Sequence, residues 1–145
     1  QLDTPDGIYS RPANTFVASF LGSPPINLVE GEIAPDGSFV HGALRLDLPQ
    51  GAAAPGGLET GRAVTLGLRP EDVGAPAPGL ASLEARVGLV SPLGSETLLE
   101  VVAAGDVALT LRVPKEWQVR SGDSMTFGID PARLHLFDRQ TEARL

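Results

Sequence analysis

The sequence predicts an all-β fold, a small sandwich or barrel of short antiparallel strands preceded by a short N-terminal helix. Three observations point there. Apolar residues recur at every second position, the period of a strand with one face in a core. The 17 glycines and 13 prolines are spread evenly over 145 residues, which suits many short strands joined by tight turns. No helical stretch separates one strand from the next, so no βαβ crossover is expected.

The elements follow in order. Thr4 and Pro5 offer an N-cap and a first helical position, enough for a single turn through Tyr9. Residues 11–22 read as a short helix, with Phe16, Val17, Phe20 and Leu21 on one stripe and Gly22, Pro24 and Pro25 closing it. About two turns of helix are not stable alone in water, so the stripe is expected to dock on a sheet or on another part of a larger protein. From Asn27 to Ile33 the period changes to two, with Val29, Gly31 and Ile33 on one face. Pro35, Asp36 and Gly37 then form a turn, proline presetting the first dihedral and glycine taking the left-handed position. Brief strands are expected at 38–41 and 44–48, followed by a small-residue loop over 49–61 that should be mobile.

Val64, Leu66 and Leu68 alternate with Thr65, Gly67 and Arg69, a half-buried strand that Pro70 must stop or confine to an edge. Arg69 and Glu71 flank that break, placed to bridge to one another or to a neighbouring loop as a surface ion pair. Residues 74–79 read as a second soft loop. Leu83, Ala85, Val87 and Leu89 alternate as one strand, and 97–102 and 107–113 form a hairpin about Ala103–Asp106. A further strand carries Met125, Phe127 and Ile129 inward, and Pro131–Arg133 turns it into Leu134–Phe137. Trp117, after a strand end, is expected to cover part of the barrel mouth.

Composition narrows the function. The chain has no cysteine, which excludes a disulfide scaffold and thiolate zinc sites and fits a reducing compartment. A net charge of −7 lacks the basic stripe that a nucleic-acid partner requires, and stacking aromatics are scarce. The apolar runs are too short to span a bilayer, and no signal-peptide pattern is present. The chain opens on Gln1-Leu2-Asp3-Thr4-Pro5 rather than methionine, and reads as a piece of a longer protein.

The motifs of catalysis are missing too. The sole lysine, Lys115, lies outside any glycine loop, so no phosphate-binding loop exists, and no dinucleotide fingerprint follows a strand. His41 and His135 sit in unrelated strands without the neighbours of a metal or a catalytic base. The chain is expected to be no enzyme, with no catalytic, cofactor or metal residue of its own. Two loops retain ligand potential: 91–97, where Gly94, Ser95 and Thr97 offer amides and hydroxyls that can wrap an anion, and 23–33, with Ser23 and Asn27. Ordinary turn chemistry is the competing reading of both.

Several of these pieces fall into one register. Phe16 to Pro24 with Asn27, then Leu66-Gly67-Leu68-Arg69-Pro70-Glu71, then Leu93-Gly94-Ser95-Glu96-Thr97, then Leu134 to Asp138 occur in an order that resembles one family. This is the C-terminal regulatory region, carrying the TOBE domain, of ATP-binding subunits of bacterial ABC importers for maltose, other sugars and glycerol-3-phosphate. Thr4, Pro5, Ile8 and Tyr9 are similar to the segment that follows the family's nucleotide-binding domain, with Asp3 where a glycine is usual. The resemblance implies an OB-like β-barrel over 23–145, with residues 1–22 as a helical connection from a nucleotide-binding domain. It implies that ATP and magnesium are bound upstream, not here. It also implies a homodimer held through this region, permease subunits reached through the whole protein at the cytoplasmic face of the inner membrane, a possible regulatory protein, and no nucleic acid. Arg69 and Glu71 with Gly94, Ser95, Glu96 and Thr97 are the expected contacts of a surface used between subunits. The rival expectation is a small-ligand or oxyanion sensor, because 23–33 is loosely similar to segments of molybdate- and sulfate-binding relatives. Glu30 and Glu32, and the lack of any cation between Ser23 and Glu32, oppose a dianion there.

Overall fold

The computed structural model describes residues 14, 24–48 and 58–145. Nine strands form two antiparallel sheets: β1 (Asn27–Ile33), β2 (Phe39–His41), β3 (Leu44–Leu46), β4 (Ala63–Leu68), β5 (Ala81–Pro92), β6 (Glu96–Ala103), β7 (Val107–Pro114), β8 (Ser124–Ile129) and β9 (His135–Asp138). The order is β3-β2-β1-β4-β9 in one sheet and β7-β6-β5-β8 in the other. The all-β expectation therefore holds among the described residues. The expected helix at 11–22, the turn at 4–9 and most of the loop at 49–61 lie outside them. Asn14, the described residue within that helix, makes an isolated antiparallel bridge with Ala143.

One apolar cluster joins the sheets. Val64, Leu66 and Leu68 of β4 meet Leu83 and Val87 of β5, Leu99 of β6, Leu111 of β7, and Phe127 and Ile129 of β8, all buried. Trp117 stacks on Phe127 with ring centroids 6.3 Å apart, the partial cover expected of it. Gly37 has φ 85°, in the turn that the Pro35-Asp36-Gly37 chemistry predicts.

Two expectations need correction. β4 is not half-buried, and of the two outcomes open to Pro70 the strand ends there rather than lying at an edge. It lies between β1 and β9, and Thr65 and Gly67 are buried with their neighbours. Register places Phe137 beside Thr65 and His135 beside Gly67, on the face opposite Leu66 and Leu136, where Ile26 and Phe137 make a second small cluster. Local alternation cannot distinguish one covered face from two. In β5, Leu89 points out and is 57% exposed, because a bulge between Val87 and Val90 breaks the register with β6. The segment 74–79 is an exposed loop over 75–79, tied at its first residue: Gly74 and Gly128 exchange backbone hydrogen bonds of 2.9 and 2.8 Å. A Cβ on Gly128 would lie 2.5 Å from the Ala75 carbonyl oxygen, so this approach needs glycine.

A seam of backbone and amide bonds closes β7 against the first sheet. The Asn27 Nδ2 donates to the carbonyls of Leu68 (3.0 Å) and Thr110 (2.8 Å), and the Thr110 N–H donates to Asn27 Oδ1 (2.8 Å). Two residues along, the Arg112 N–H donates to the Pro70 carbonyl at 2.8 Å. Asn27 thus serves β7 as one residue of a neighbouring strand would.

Candidate interaction surface

The site is built where β4 ends and the β5–β6 hairpin turns. Pro70 stops β4, and the Asp72 N–H closes a turn onto the Arg69 carbonyl at 3.0 Å. At the hairpin, the Leu93 N–H donates to the Glu96 carbonyl at 2.8 Å, and Gly94 takes φ 89°. A two-residue connection of this kind requires a residue that tolerates positive φ. The outward residues of β7 are the even-numbered ones, so Arg112 emerges beside the hairpin, and its Nε lies 2.8 Å from Glu96 Oε2. With both groups partly exposed, the pair contributes about 0.2–1 kcal/mol.

These pieces enclose an open depression of about 350 Å³ lined by Glu71, Val73, Ser95, Glu96, Arg112, Val113 and Pro114. Glu71, Ser95 and Glu96, three of the six residues expected from sequence, therefore share one hollow. Gly94 shapes the turn behind it, and Thr97 is buried in β6. Arg69 is placed differently. It is 2% exposed, beneath the surface rather than on it. Burial pushes its guanidinium below the usual range, and the carboxylate that offsets this is Asp72, not Glu71. Asp72 is itself raised by burial first and by Glu71 second, while Arg133, 3.4 Å away, and Arg69 pull it back. Arg69 is thus a buried cation with an acid three residues further on, rather than a cation on the surface.

Below lies His135. Arg144 Nη1 donates to its Nδ1 at 2.8 Å, which requires the neutral ring with its proton on Nε2. Burial, then the charges of Arg144 and Arg69, lower its pKa to about 4. His41 is exposed, with Nδ1 2.7 Å from the Glu30 carbonyl oxygen. Among the described residues, no group of three or more histidine, aspartate or glutamate side chains is arranged to hold a metal ion.

Among the described residues, neither loop with ligand potential forms a cradle, and Ser23 lies outside them. Residues 91–97 are mostly the two strand ends of a tight hairpin, with Ser91 opposite Leu98 and Pro92 opposite Thr97. In 24–33, Asn27 spends its amide on the seam, and Glu30 and Glu32 face outward. Sequence reasoning missed Arg112 and Asp72. Alternation placed Arg112 on the outer face, but its pairing with Glu96 depends on strand register, which the sequence does not state.

The comparisons with known proteins agree in direction. Residues 22–73 match the family described as the MalK OB fold domain, and residues 79–136 match the TOBE domain. The sulfoquinovosyl glycerol transport ATP-binding protein of Agrobacterium fabrum is 41% identical over 147 residues, covering 98% of this chain and 39% of that protein. The sn-glycerol-3-phosphate import ATP-binding protein of Cereibacter sphaeroides is 39% identical over 145 residues, covering all of this chain and 39% of its own. The chain thus spans about two fifths of the length of the curated relatives it matches. Among solved structures, a cytoplasmic molybdate-binding protein with molybdate bound superposes with a TM-score of 0.57 at 15% identity, covering 76% of this chain and 94% of that one. At that identity the likeness is one of fold.

Proposed function

We propose, from the premise that this chain belongs to the MalK OB fold and TOBE families, that it is the regulatory and dimerisation region of the ATP-binding subunit of an importer of sugars or glycerol-3-phosphate. The observation that carries this reading is the register of both family matches in one chain, with import subunits as relatives along nearly its whole length. In the whole protein, residues 1–22 connect to a nucleotide-binding domain that holds ATP and magnesium, and residues 23–145 bind neither. The subunit sits at the cytoplasmic face of a bacterial inner membrane, where permease subunits hold it. The region performs no chemistry. By keeping two copies together while the ATPase halves part, it raises the effective concentration of each half for the other.

Within this reading, the hollow between Glu71 and Glu96 lies on a surface used between subunits or by a regulatory protein. The test is import of labelled sugar or glycerol-3-phosphate by cells carrying the whole protein with its permeases, compared with a Glu71→Ala, Glu96→Ala double variant. Both side chains reach solvent, so folding is retained. The expected result is at least a threefold loss of import or of its regulation, and unchanged import with unchanged dimer mass would refute the role of this hollow. Among the described residues the oxyanion reading finds no cation-lined cradle to support it, and heat on titrating molybdate or sulfate into the chain would reverse that ranking.

A further inference from the structure

Residues 139–145 turn back on β9 and run along its outer margin. One side chain builds the turn. Asp138 Oδ1 accepts the N–H groups of Gln140 and Thr141, each at 2.9 Å, and Asp138 Oδ2 accepts from Arg62 Nη2 at 3.1 Å. The Ala143 N–H donates to Thr141 Oγ1 at 3.2 Å, and Glu142 takes φ 62°, the left-handed backbone of the turn. The returning residues then pair with β9. The Asp138 N–H donates to the Ala143 carbonyl at 2.7 Å, the Leu145 N–H donates to the Leu136 carbonyl at 2.9 Å, and Arg144 lies opposite Phe137. Side chains fasten the same stretch inward: Arg139 donates to the Gly31 carbonyl of β1, Arg144 donates to His135, and Leu145 packs on the main apolar cluster.

The pairing has a second side. Ala143 also lies opposite Asn14 in an antiparallel bridge, so the five-stranded sheet continues past β9, through residues 143 and 144, to the segment that carries Asn14. A stretch that only covered the margin of β9 would leave its own margin open; here backbone from far earlier in the chain occupies it. We infer that residues 139–145 are a clasp whose occupant is this chain's own connecting segment at Asn14, fixed to the sheet so that displacement of whatever precedes it is passed to the barrel and not absorbed at the joint. This rests on the reading above, in which a nucleotide-binding domain precedes the chain, and adds the residues that couple it to the regulatory region. The clasp is a fixed anchor and not a latch that opens in each cycle. Opening it would strip partners from Asp138, Thr141, Arg139 and Arg144 together, whereas segments that move in function are drawn from those with few such bonds.

The chain has no cysteine, so Asn14→Cys with Ala143→Cys forms a pair without competitors in it. Opposite residues of an antiparallel pair have Cα atoms about 4.5–5.5 Å apart, within the span that a disulfide bridges. Mild oxidation of the 145-residue variant should close the disulfide in most molecules, read by peptide mass; a pair that stays open overturns the clasp, whatever the whole protein does. In the whole protein with no other cysteine, reconstituted with its permeases, the closed disulfide should leave unchanged the sugar or glycerol-3-phosphate imported per ATP hydrolysed. A loss that reductant restores would overturn the fixed anchor. Ala143→Pro removes a paired N–H and should lower that ratio at least threefold, and Thr141→Pro, which strips an N–H from the Asp138 carboxylate, should do the same. Glu142→Gly between them suits the left-handed backbone and should keep the parent's ratio. Circular dichroism checks each fold, and proline variants that fold and keep the parent's ratio would overturn the coupling. A parent that imports neither cargo refutes the importer reading and leaves the disulfide to decide the clasp alone.

Discussion

His135 shows how one residue carries a pH dependence. Its ring is buried, and it accepts a hydrogen bond from a cation, so protonation is opposed twice. Its pKa falls from 6.5 to about 4 on folding. Between those values the unfolded chain binds a proton that the folded chain refuses. The stabilisation is therefore complete above pH 6.5 and is lost as pH falls through 6.5 toward 4, with an upper bound of about 3 kcal/mol. Asp72 works in the opposite sense, because its raised pKa favours the folded state at acid pH, in a window that opens just above 3.8. Urea midpoints taken from pH 7.5 to 4.5 should decline for the parent chain and decline less for His135→Gln; identical slopes would remove His135 as the cause. None of this was legible in the sequence, where His135 read as an ordinary sheet residue. Burial on the second face of β4 and β9 decides its chemistry, and that depends on contacts between residues far apart in the chain. The same holds for Arg69, which looked like a surface cation because Pro70 and Glu71 beside it are turn-like and polar.

At the scale of elements, the sequence was a better guide. Alternation located the strands, and the Gly-Asp and Pro-Asp-Gly turns located most of the connections. What it could not supply was pairing. The bulge in β5 adds a residue relative to β6, and so Leu89, in phase with Val87 by local count, faces water. Gly31 is the complementary case, legible as an inward position but not as a glycine requirement. A Cβ there would lie 2.4 Å from both the Phe39 ring and the Val40 carbonyl oxygen of β2, the strand paired beside β1. Gly31→Ala should destabilise the chain by about 1–3 kcal/mol through overpacking, whereas Gly88→Ala, whose nearest contact is 3.3 Å away, should cost less. Thermal melts of the two variants decide this, and equal melting temperatures would contradict the geometry.

At the scale of the whole molecule, the family matches divide near residues 73 and 79, yet the apolar core and the Asn27 seam cross that division. Unfolding should be a single cooperative transition in which both sheets melt together. Asn27→Ala strips partners from the Leu68 and Thr110 carbonyls and from the Thr110 N–H. It should cost about 2–4 kcal/mol and, if the seam couples the sheets, broaden or split the transition. A variant as stable as the parent would show that water replaces the amide without loss. Here sequence and structure met only halfway. Asn27 stood out in the resemblance to the family and as a polar group of a loop with ligand potential, set against ordinary turn chemistry, and its actual use is architectural.

That use has a bearing on solubility. β7 ends the second sheet, and an unshielded sheet margin offers its backbone groups as a template on which another chain can grow. Asn27 and the Pro70 carbonyl occupy the outward groups of Thr110 and Arg112, at the middle of that margin. Replacing Asn27 with alanine would therefore open a place for strand-by-strand accretion. Its damage should show in light scattering on storage as well as in the melting curve.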